Sequence, residues 1–381
     1  MTRFQLVATA AMGLEAIVAE EVQALGYDTK VENGKVFFEG DETAIARCNL
    51  WLRVADRVKI VVAQFPAHTF EELFESTKKI EWERYLSVDA CFPVSGKSVK
   101  SQLFSVPDCQ AITKKAIVER LKIAYKRLGF LDESGATYKI EVSILKDIAT
   151  LTIDTSGAGL HKRGYRQEQG EAPLKETLAA ALVKISKWGP NRPFVDLFCG
   201  SGTITLEAAM IRQNIAPGYN RSFISEDWSW MKASVWDQVR DEADAAADYD
   251  QPLEIIGTDI DHRMIQIAQT NALEAGFGDL ITFKQMQAVD FTTRLTDGVI
   301  VSNPPYGERI GERQEMERVF QSLGQVMQQY PTWSVYLLTS MEDFEQHYGK
   351  QATKKRKLFN GFIRTDYYQF WGQKSKRTDD K

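Results

Sequence analysis

A strand pattern, a glycine-rich turn and the start of a helix follow one another in Val195-Asp196-Leu197-Phe198-Cys199-Gly200-Ser201-Gly202-Thr203. The apolar residues before the turn indicate a buried strand, and the two glycines would let a ligand approach the backbone closely. In an open α/β sheet, ligands bind at the carboxyl ends of the parallel strands. This stretch therefore predicts a ligand-binding turn near the start of a Rossmann-like domain.

Strand and helix patterns alternate along the chain from Pro193 onward. The predicted strands span residues 194–198, 254–260, 280–283, 299–302, 333–339 and 362–371. Helical patterns fall between the first five, and such alternation is typical of a parallel sheet with helices on both faces. Residues 214–251, which carry three tryptophans, interrupt the alternation and are interpreted as an inserted helical cover.

The first 155 residues show a different pattern, with short strands of mixed direction and a few helices. Residues 138–145 and 148–153 predict a hairpin that turns at Lys146-Asp147. Residues 112–128 predict an amphipathic helix, with Ile117, Leu121, Ala124 and Leu128 facing inward. We therefore expect an α+β region at 1–155, a Gly-rich and charged linker at 156–172, and a second domain at 173–381.

Composition limits the class of protein. The chain has 381 residues, of which 44% are hydrophobic and 26% charged, as expected for a globular protein of two or three domains. No apolar run approaches the ~20 residues of a membrane span, and the N-terminus lacks a signal-peptide core, so we expect a cytoplasmic protein. None of the four cysteines forms a Cys-x-x-Cys pair, and no metal site is predicted.

Positive charge is concentrated in two places although the net charge is −5. Residues 91–130 contain eight basic and two acidic residues, and thus carry a charge of +6. A second basic run is Lys354-Lys355-Arg356-Lys357. Each cluster is either a nucleic-acid-binding surface or simply a solvated face, and the sequence leaves both interpretations open.

The turn after Asp196 does not fit a dinucleotide site. The pattern is not Gly-x-Gly-x-x-Gly, since Thr205 stands at the third position after Gly202. The acid after the next strand, Asp259, lies far beyond the ~20 residues expected for that fold. A carboxylate at Asp196 would repel a pyrophosphate but suits a ligand with an ammonium group, which favours S-adenosylmethionine.

Further ligand contacts are expected after the next strands. Asp259 is placed to accept hydrogen bonds from ribose hydroxyls, and Asp261 to cap the following helix. Gln287 is expected to meet the adenine edge, with Ile260 and Ala288 as an apolar wall. The complete predicted cofactor set is Asp196, Phe198, Gly200, Ser201, Gly202, Thr203, Asp259, Ile260, Gln287, Ala288 and Asn303.

The catalytic residues are predicted in Asn303-Pro304-Pro305-Tyr306, directly after the fourth strand. An exocyclic ring amine is a poor nucleophile because its lone pair is delocalised into the ring. The Asn303 side-chain oxygen and the Pro304 carbonyl could accept its two N–H bonds and localise the lone pair. The prolines stiffen the turn, and Tyr306 could stack on a base taken out of its helix.

Four segments resemble the THUMP-domain RNA guanine-N2 methyltransferases. They are Leu160-His161-Lys162-Arg163-Gly164-Tyr165-Arg166, Ala172-Pro173-Leu174-Lys175-Glu176, Gly13-Leu14-Glu15 and Leu358-Phe359-Asn360-Gly361. The sequence resembles the bacterial 23S ribosomal RNA group known as RlmL, some members of which are labelled N6-adenine-specific DNA methylases. The resemblance covers nearly the whole chain.

The resemblance implies a Rossmann-like class I methyltransferase domain behind a ferredoxin-like region and a THUMP module at about 43–155. RNA would be held by Lys97, Lys100, Lys114 and Lys115. Arg163 and Arg166 would contact the cofactor carboxylate or RNA phosphate, unless they form a surface ion pair.

The implied reaction forms N2-methylguanosine in 23S ribosomal RNA. Methylation of adenine N6 in DNA or of guanine N2 in transfer RNA are the alternatives, and a non-catalytic RNA-binding factor is the third class.

Overall fold

A computed structural model describes residues 3–166, 174–307 and 310–374. The chain forms two compact units. The first comprises Met1–Ala10, Val18–Leu160 and Arg221–Ala243, and the second comprises Ala11–Ile17, His161–Asn220 and Asp244–Lys381. The last part of the expected linker, residues 167–172, and the adjoining Pro173 lie outside the described residues.

Strands and helices are numbered here in chain order. The strands are β1 Phe4–Thr9, β2 Thr29–Glu32, β3 Lys35–Gly40, β4 Arg57–Pro66, β5 Val94–Val99, β6 Lys139–Leu145, β7 Ile148–Asp154, β8 Phe194–Asp196, β9 Ile255–Asp259, β10 Thr282–Gln285, β11 Val299–Ser302, β12 Ser334–Thr339, β13 Lys354–Asn360 and β14 Ile363–Phe370. The helices are α1 Glu15–Ala24, α2 Glu42–Trp51, α3 Phe70–Lys78, α4 Val106–Ala124, α5 Glu176–Ser186, α6 Thr203–Arg212, α7 Ala233–Ala246, α8 His262–Glu274, α9 Ile310–Met327 and α10 Phe344–Tyr348.

The first unit is built on a seven-stranded sheet in the order β2-β3-β1-β4-β7-β6-β5. Its neighbouring strands pair antiparallel, except for β5 and β6, which are parallel. The predicted hairpin is confirmed as β6 and β7. Its turn residues Lys146 and Asp147 have φ of 51° and 62°, as a two-residue type I′ turn requires. The expected α+β region is therefore present.

One helix of the first unit ends earlier than predicted. Ile117 and Leu121 are buried in α4 as expected, but the helix stops at Ala124. Leu128 lies beyond it and is fully exposed, so its assignment to the inner face was wrong. The inward stripe of α4 is shorter than the apolar periodicity suggested.

The tryptophan-rich insertion packs largely within the first unit. The Trp228 ring stacks on Tyr138 at 4.7 Å between centroids, and its indole N–H donates to the Thr137 carbonyl. Ser225 donates its hydroxyl to the Thr155 carbonyl. These contacts explain why residues 221–243 belong to the compact unit of the N-terminal sheet rather than to the sheet in which they are inserted.

The second unit is built on a seven-stranded sheet in the order β10-β9-β8-β11-β12-β14-β13. The first five strands in this order pair parallel, and β14 pairs antiparallel with β12 and β13. All four residues of β11 are buried, as is typical of a central parallel strand. The order reverses between β8 and β11, and the predicted Rossmann-like fold is thus confirmed.

One strand of this sheet was not predicted. β13 coincides with the basic run at 354–357 and lies at the edge of the sheet. Because its lysines face solvent, it lacks the apolar alternation that identifies a half-buried strand. Among the described helices of the chain, none is both long enough and apolar enough to cross a membrane.

We expect Gly324→Ala to destabilise the protein. A Cβ at this position of α9 would lie 2.0 Å from the Tyr348 carbonyl oxygen, so the backbone of α10 would have to move. Overpacking of this kind costs about 1–3 kcal/mol, and urea denaturation measures the loss.

Gly311→Ala in the same helix is the matched control. A Cβ there meets no atom within 4 Å, so the substitution should leave the free energy of unfolding unchanged or raise it by up to about 1 kcal/mol. Equal stability of the two variants would contradict the proposed contact.

Candidate active site

The carboxyl ends of β8, β9 and β11 bring three predicted polar residues to one edge of the sheet. The strands are parallel neighbours, so Asp196, Asp259 and Asn303 end up at the same edge. The Gly200 N–H donates to Asp259 Oδ2 at 2.9 Å, and the Leu197 N–H donates to the Ser302 hydroxyl at 2.8 Å. Segments that are far apart in sequence are joined here by direct hydrogen bonds.

Asp196 is a buried carboxyl group that is only partly hydrogen-bonded. Its Oδ1 accepts from the Phe198 N–H at 3.1 Å, whereas no described residue donates to Oδ2 with hydrogen-bond geometry. Burial raises the pKa of Asp196 to about 7, with a smaller contribution from Asp259, while the Ser302 hydroxyl and the Phe198 N–H lower it. A cationic group beside Oδ2 would stabilise the ionised form.

The two glycines of the turn have different roles. Gly200 has φ +49° and a Cβ there would meet no atom within 4 Å, so the turn is open on that side. Gly202 has φ +84°, and its Cβ would lie 3.2 Å from that of Ala268 and 3.4 Å from the Phe283 ring. Gly200 therefore leaves room for a ligand, whereas Gly202 permits close packing of α6. Among the other predicted turn residues, Phe198 is partly exposed and Ser201 and Thr203 are buried.

The Asp259 carboxylate holds the loop after its strand. Besides the bond from Gly200, its Oδ1 accepts from the Asp261 N–H at 2.9 Å. Each carboxylate oxygen keeps a further lone pair, so hydroxyl groups could still bind. The Asp261 side chain accepts from the Arg263 N–H at the start of α8, which confirms its predicted role as a helix cap.

The residues expected around adenine are spread over different environments. Ile260 is 63% exposed, and the Gln287 side chain is also exposed. Ala288 is buried within the apolar core cluster that contains Val195 and Ile300. The adenine assignments therefore stay predictions.

The Asn303-Pro304-Pro305-Tyr306 segment follows β11 directly. The Tyr306 hydroxyl donates to Asn303 Oδ1 at 2.8 Å and accepts from Asn360 Nδ2 at 3.1 Å. Pro304 is buried and Pro305 exposed. Asn360 has no role in the sequence-based account, although the Leu358-Phe359-Asn360-Gly361 motif contributed to the resemblance.

The side chains of Arg163 and Arg166 form ion pairs with acidic residues inside the second unit. Arg163 Nε lies 3.0 Å from Glu207 Oε1, and both side chains are buried. Arg166 pairs with Glu176 at 3.1 Å and donates to the Thr203 hydroxyl at 2.6 Å. The ion pairs are thus not at the surface, and the Arg163 guanidinium is not available to a phosphate. The contact predicted for Arg166 with the cofactor carboxylate or RNA phosphate stays a prediction.

The basic segment of the first unit is partly neutralised by acids outside it. Lys97 lies 3.0 Å from Glu141, and Lys114 lies 2.6 Å from Glu133. Lys100 and Lys115 are exposed and form no ion pair with any described residue. The free positive charge here is therefore smaller than the sequence count of +6 indicates.

Comparison with known families identifies three regions. Residues 163–369 match the family model described as RMKL-like, methyltransferase domain. Residues 5–59 match the RlmL ferredoxin-like domain, and residues 67–154 match the THUMP domain.

Similar proteins cover almost the whole chain. A Bacillus subtilis protein named "Putative RNA methyltransferase YpsC" is 62% identical over 374 residues, which span 98% of this chain and 97% of the relative. The crystal structure of a predicted N6-adenine-specific DNA methylase from Listeria monocytogenes is 65% identical, with a TM-score of 0.95 over 98% of this chain and 97% of that one. The structure of SMU.472, solved in complex with SAH, is 50% identical, with a TM-score of 0.95 over 99% of this chain and 100% of that one. The chain therefore belongs to the RMKL-like methyltransferase family and carries its RlmL ferredoxin-like and THUMP domains.

Proposed function

We propose that this protein uses S-adenosylmethionine to methylate the N2 amine of a guanine in 23S ribosomal RNA. The observation that carries the proposal is the Asn303-Pro304-Pro305-Tyr306 turn on the strand next to Asp196. RNA as the substrate class is supported by the THUMP domain and by the name of the Bacillus subtilis relative. The choice of guanine N2 and of 23S RNA is supported by the family resemblance.

The residues at the carboxyl edge fit S-adenosylmethionine, which supplies an electrophilic methyl group and carries an ammonium group. The unpartnered Asp196 Oδ2 is a buried acceptor suited to that ammonium. The open side of Gly200 leaves room beside the backbone. Asp259 would hold the ribose hydroxyls with its remaining lone pairs, and Ile260 and Gln287 would contact the adenine.

Asn303 and Pro304 act on the target amine. Asn303 Oδ1 accepts the Tyr306 hydroxyl with one lone pair and keeps another for an amine N–H. The Pro304 carbonyl accepts the second N–H, and together they localise the nitrogen lone pair outside the ring. The prolines fix φ, so these acceptors are preorganised before the base arrives. The Tyr306 ring stacks on the base.

RNA outside the target base is held in part by the first unit. Lys100 and Lys115 are exposed cations of this unit, while Lys97 and Lys114 share their charge with Glu141 and Glu133. Adenine N6 in DNA and guanine N2 in transfer RNA are the competing targets, because the turn recognises an amine and a flat ring rather than one base.

Purified protein should transfer labelled methyl to unmodified 23S RNA and yield N2-methylguanosine. Nucleoside mass spectrometry of the digested RNA identifies the product, with transfer RNA and duplex DNA as parallel substrates. Methyl label found only in DNA, or only as N6-methyladenosine, would refute the proposal.

Asn303→Ala should lower the single-turnover methyl-transfer rate by about 10²–10³-fold, the usual cost of one preorganised polar contact. The measurement is made at saturating S-adenosylmethionine. Asn303→Asp is the matched control, because it keeps an acceptor oxygen at the same place and should retain more activity. An Asn303→Ala enzyme that transfers methyl at the native rate would exclude the acceptor role.

The affinity for S-adenosylhomocysteine, which keeps the ammonium group, should increase as the pH rises. The pKa of Asp196 is raised to about 7, so at lower pH the carboxyl must lose a proton before it can pair with a cation. Affinity should therefore rise about tenfold from pH 6 to pH 8, with proton release below pH 7, in isothermal titration calorimetry.

Asp196→Asn should abolish this pH dependence, whereas Asp261→Asn, at the partly exposed cap of α8, should keep it. If the native affinity is the same at pH 6 and pH 8, Asp196 does not hold the ammonium.

A further inference from the structure

The β13–β14 hairpin ends in a two-residue turn with an exposed aromatic ring. Asn360 pairs with Ile363, which leaves Gly361 and Phe362 as the turn. Gly361 has φ +61°, a conformation that favours glycine at the first position of such a turn. Phe362 follows it and is fully exposed at the tip.

The hairpin is basic along its length. Residues 354–364 contain five basic residues and no acidic residue. The register places Phe359 opposite Arg364 and Lys357 opposite Asp366, so Lys357, Phe359, Arg364 and Asp366 share one face. Asp366 is the acid opposite Lys357, but neither Lys357 nor Arg364 forms an ion pair with a described residue. This charge is therefore less compensated than that of Lys97 and Lys114.

The tip of the hairpin lies on the same side of the sheet as the carboxyl end of β11, where the Asn303-Pro304-Pro305-Tyr306 turn begins. β13 and β12 both pair antiparallel with β14, so β13 runs in the same direction as β12 and β11. Its carboxyl end therefore lies at the same edge as Asn303. The hydrogen bond from Asn360 to the Tyr306 hydroxyl, 3.1 Å long, connects the tip to the turn directly.

Protection of the edge strand β13 against pairing with other chains explains the lysines of the hairpin but not its exposed ring. Lysines on an edge strand prevent pairing with other chains, and β13 is an edge strand. That role does not account for Phe362, since an exposed apolar ring at the tip adds a site for unwanted association. Basic side chains beside an exposed aromatic ring are instead typical of surfaces that bind single-stranded nucleic acid.

We infer that the β13–β14 hairpin binds the RNA strand beside the target base, with Phe362 stacked on a neighbouring base and Lys357 and Arg364 on the phosphates. The inference rests on the proposed function, because it takes the occupant of the Asn303–Tyr306 turn to be RNA. The hairpin would hold the neighbouring nucleotide while the turn holds the target.

The first test replaces the ring at the tip. Phe362→Ala should weaken binding of unmodified 23S RNA about 5- to 100-fold in filter binding, and Phe362→Trp should restore it. Affinity for S-adenosylhomocysteine should be unchanged in both variants, which separates loss of stacking from loss of the fold. Equal RNA affinity of the native and Phe362→Ala proteins would overturn the inference.

The second test removes the charges. Lys357→Gln with Arg364→Gln should reduce the slope of log affinity against log salt by about 1.4, as expected for two contacts to single-strand phosphates. The matched control is Lys187→Gln with Arg294→Gln, two exposed cations that precede the amino ends of β8 and β11 and thus lie at the opposite edge. The control should keep the native slope, and a hairpin variant with the native slope would refute the phosphate contacts.

The outcomes separate this inference from the function on which it rests. If the native protein neither binds nor methylates RNA, the proposed function fails and the inference falls with it. If the native protein methylates RNA and the hairpin variants match the control, only the inference fails. A protein partner on the same surface would appear as native RNA affinity in all hairpin variants, which also overturns it.

Discussion

The common direction of β8, β9 and β11 is the constraint on which the rest of the site depends. Parallel pairing through the backbone fixes where each strand ends, and it brings Asp196, Asp259 and Asn303 to one edge whatever the intervening segments contain. The bond from Gly200 to Asp259 then fixes the loops relative to each other. The backbone hydrogen bonds between the parallel strands fix where each strand ends. The side chains that follow these ends are therefore in position before a ligand binds.

Hydrogen bonds of the Tyr306 hydroxyl link the turn after β11 to the β13–β14 hairpin. Asn360 donates to the Tyr306 hydroxyl, which in turn donates to Asn303. The Asn303-Pro304-Pro305-Tyr306 turn is therefore supported by the hairpin at the far edge of the sheet as well as by its own strand. The Tyr306 ring and the Asn303 side-chain oxygen are thus positioned by one chain of hydrogen bonds.

The sequence predicted the central features because they depend on local patterns. Buried parallel strands are continuous apolar runs, and glycine or proline turns after them have few alternative conformations. The edge strand β13 was not predicted, because its lysines point to solvent and the strand lacks an alternation of apolar and polar residues. The partners of Arg163 and Tyr306 could not be predicted either, because Glu207 and Asn360 are brought close only by the tertiary fold.

The buried ion pair of Arg163 with Glu207 restricts which substitutions the family could accept. Loss of either partner leaves an unpaired charge in the interior, at a cost of about 3–5 kcal/mol. Either position could therefore change only if the other changed with it, and Glu207 lies on the helix that begins at the glycine turn. The segment before the methyltransferase sheet and the helix after its first strand are thus expected to evolve as a linked pair.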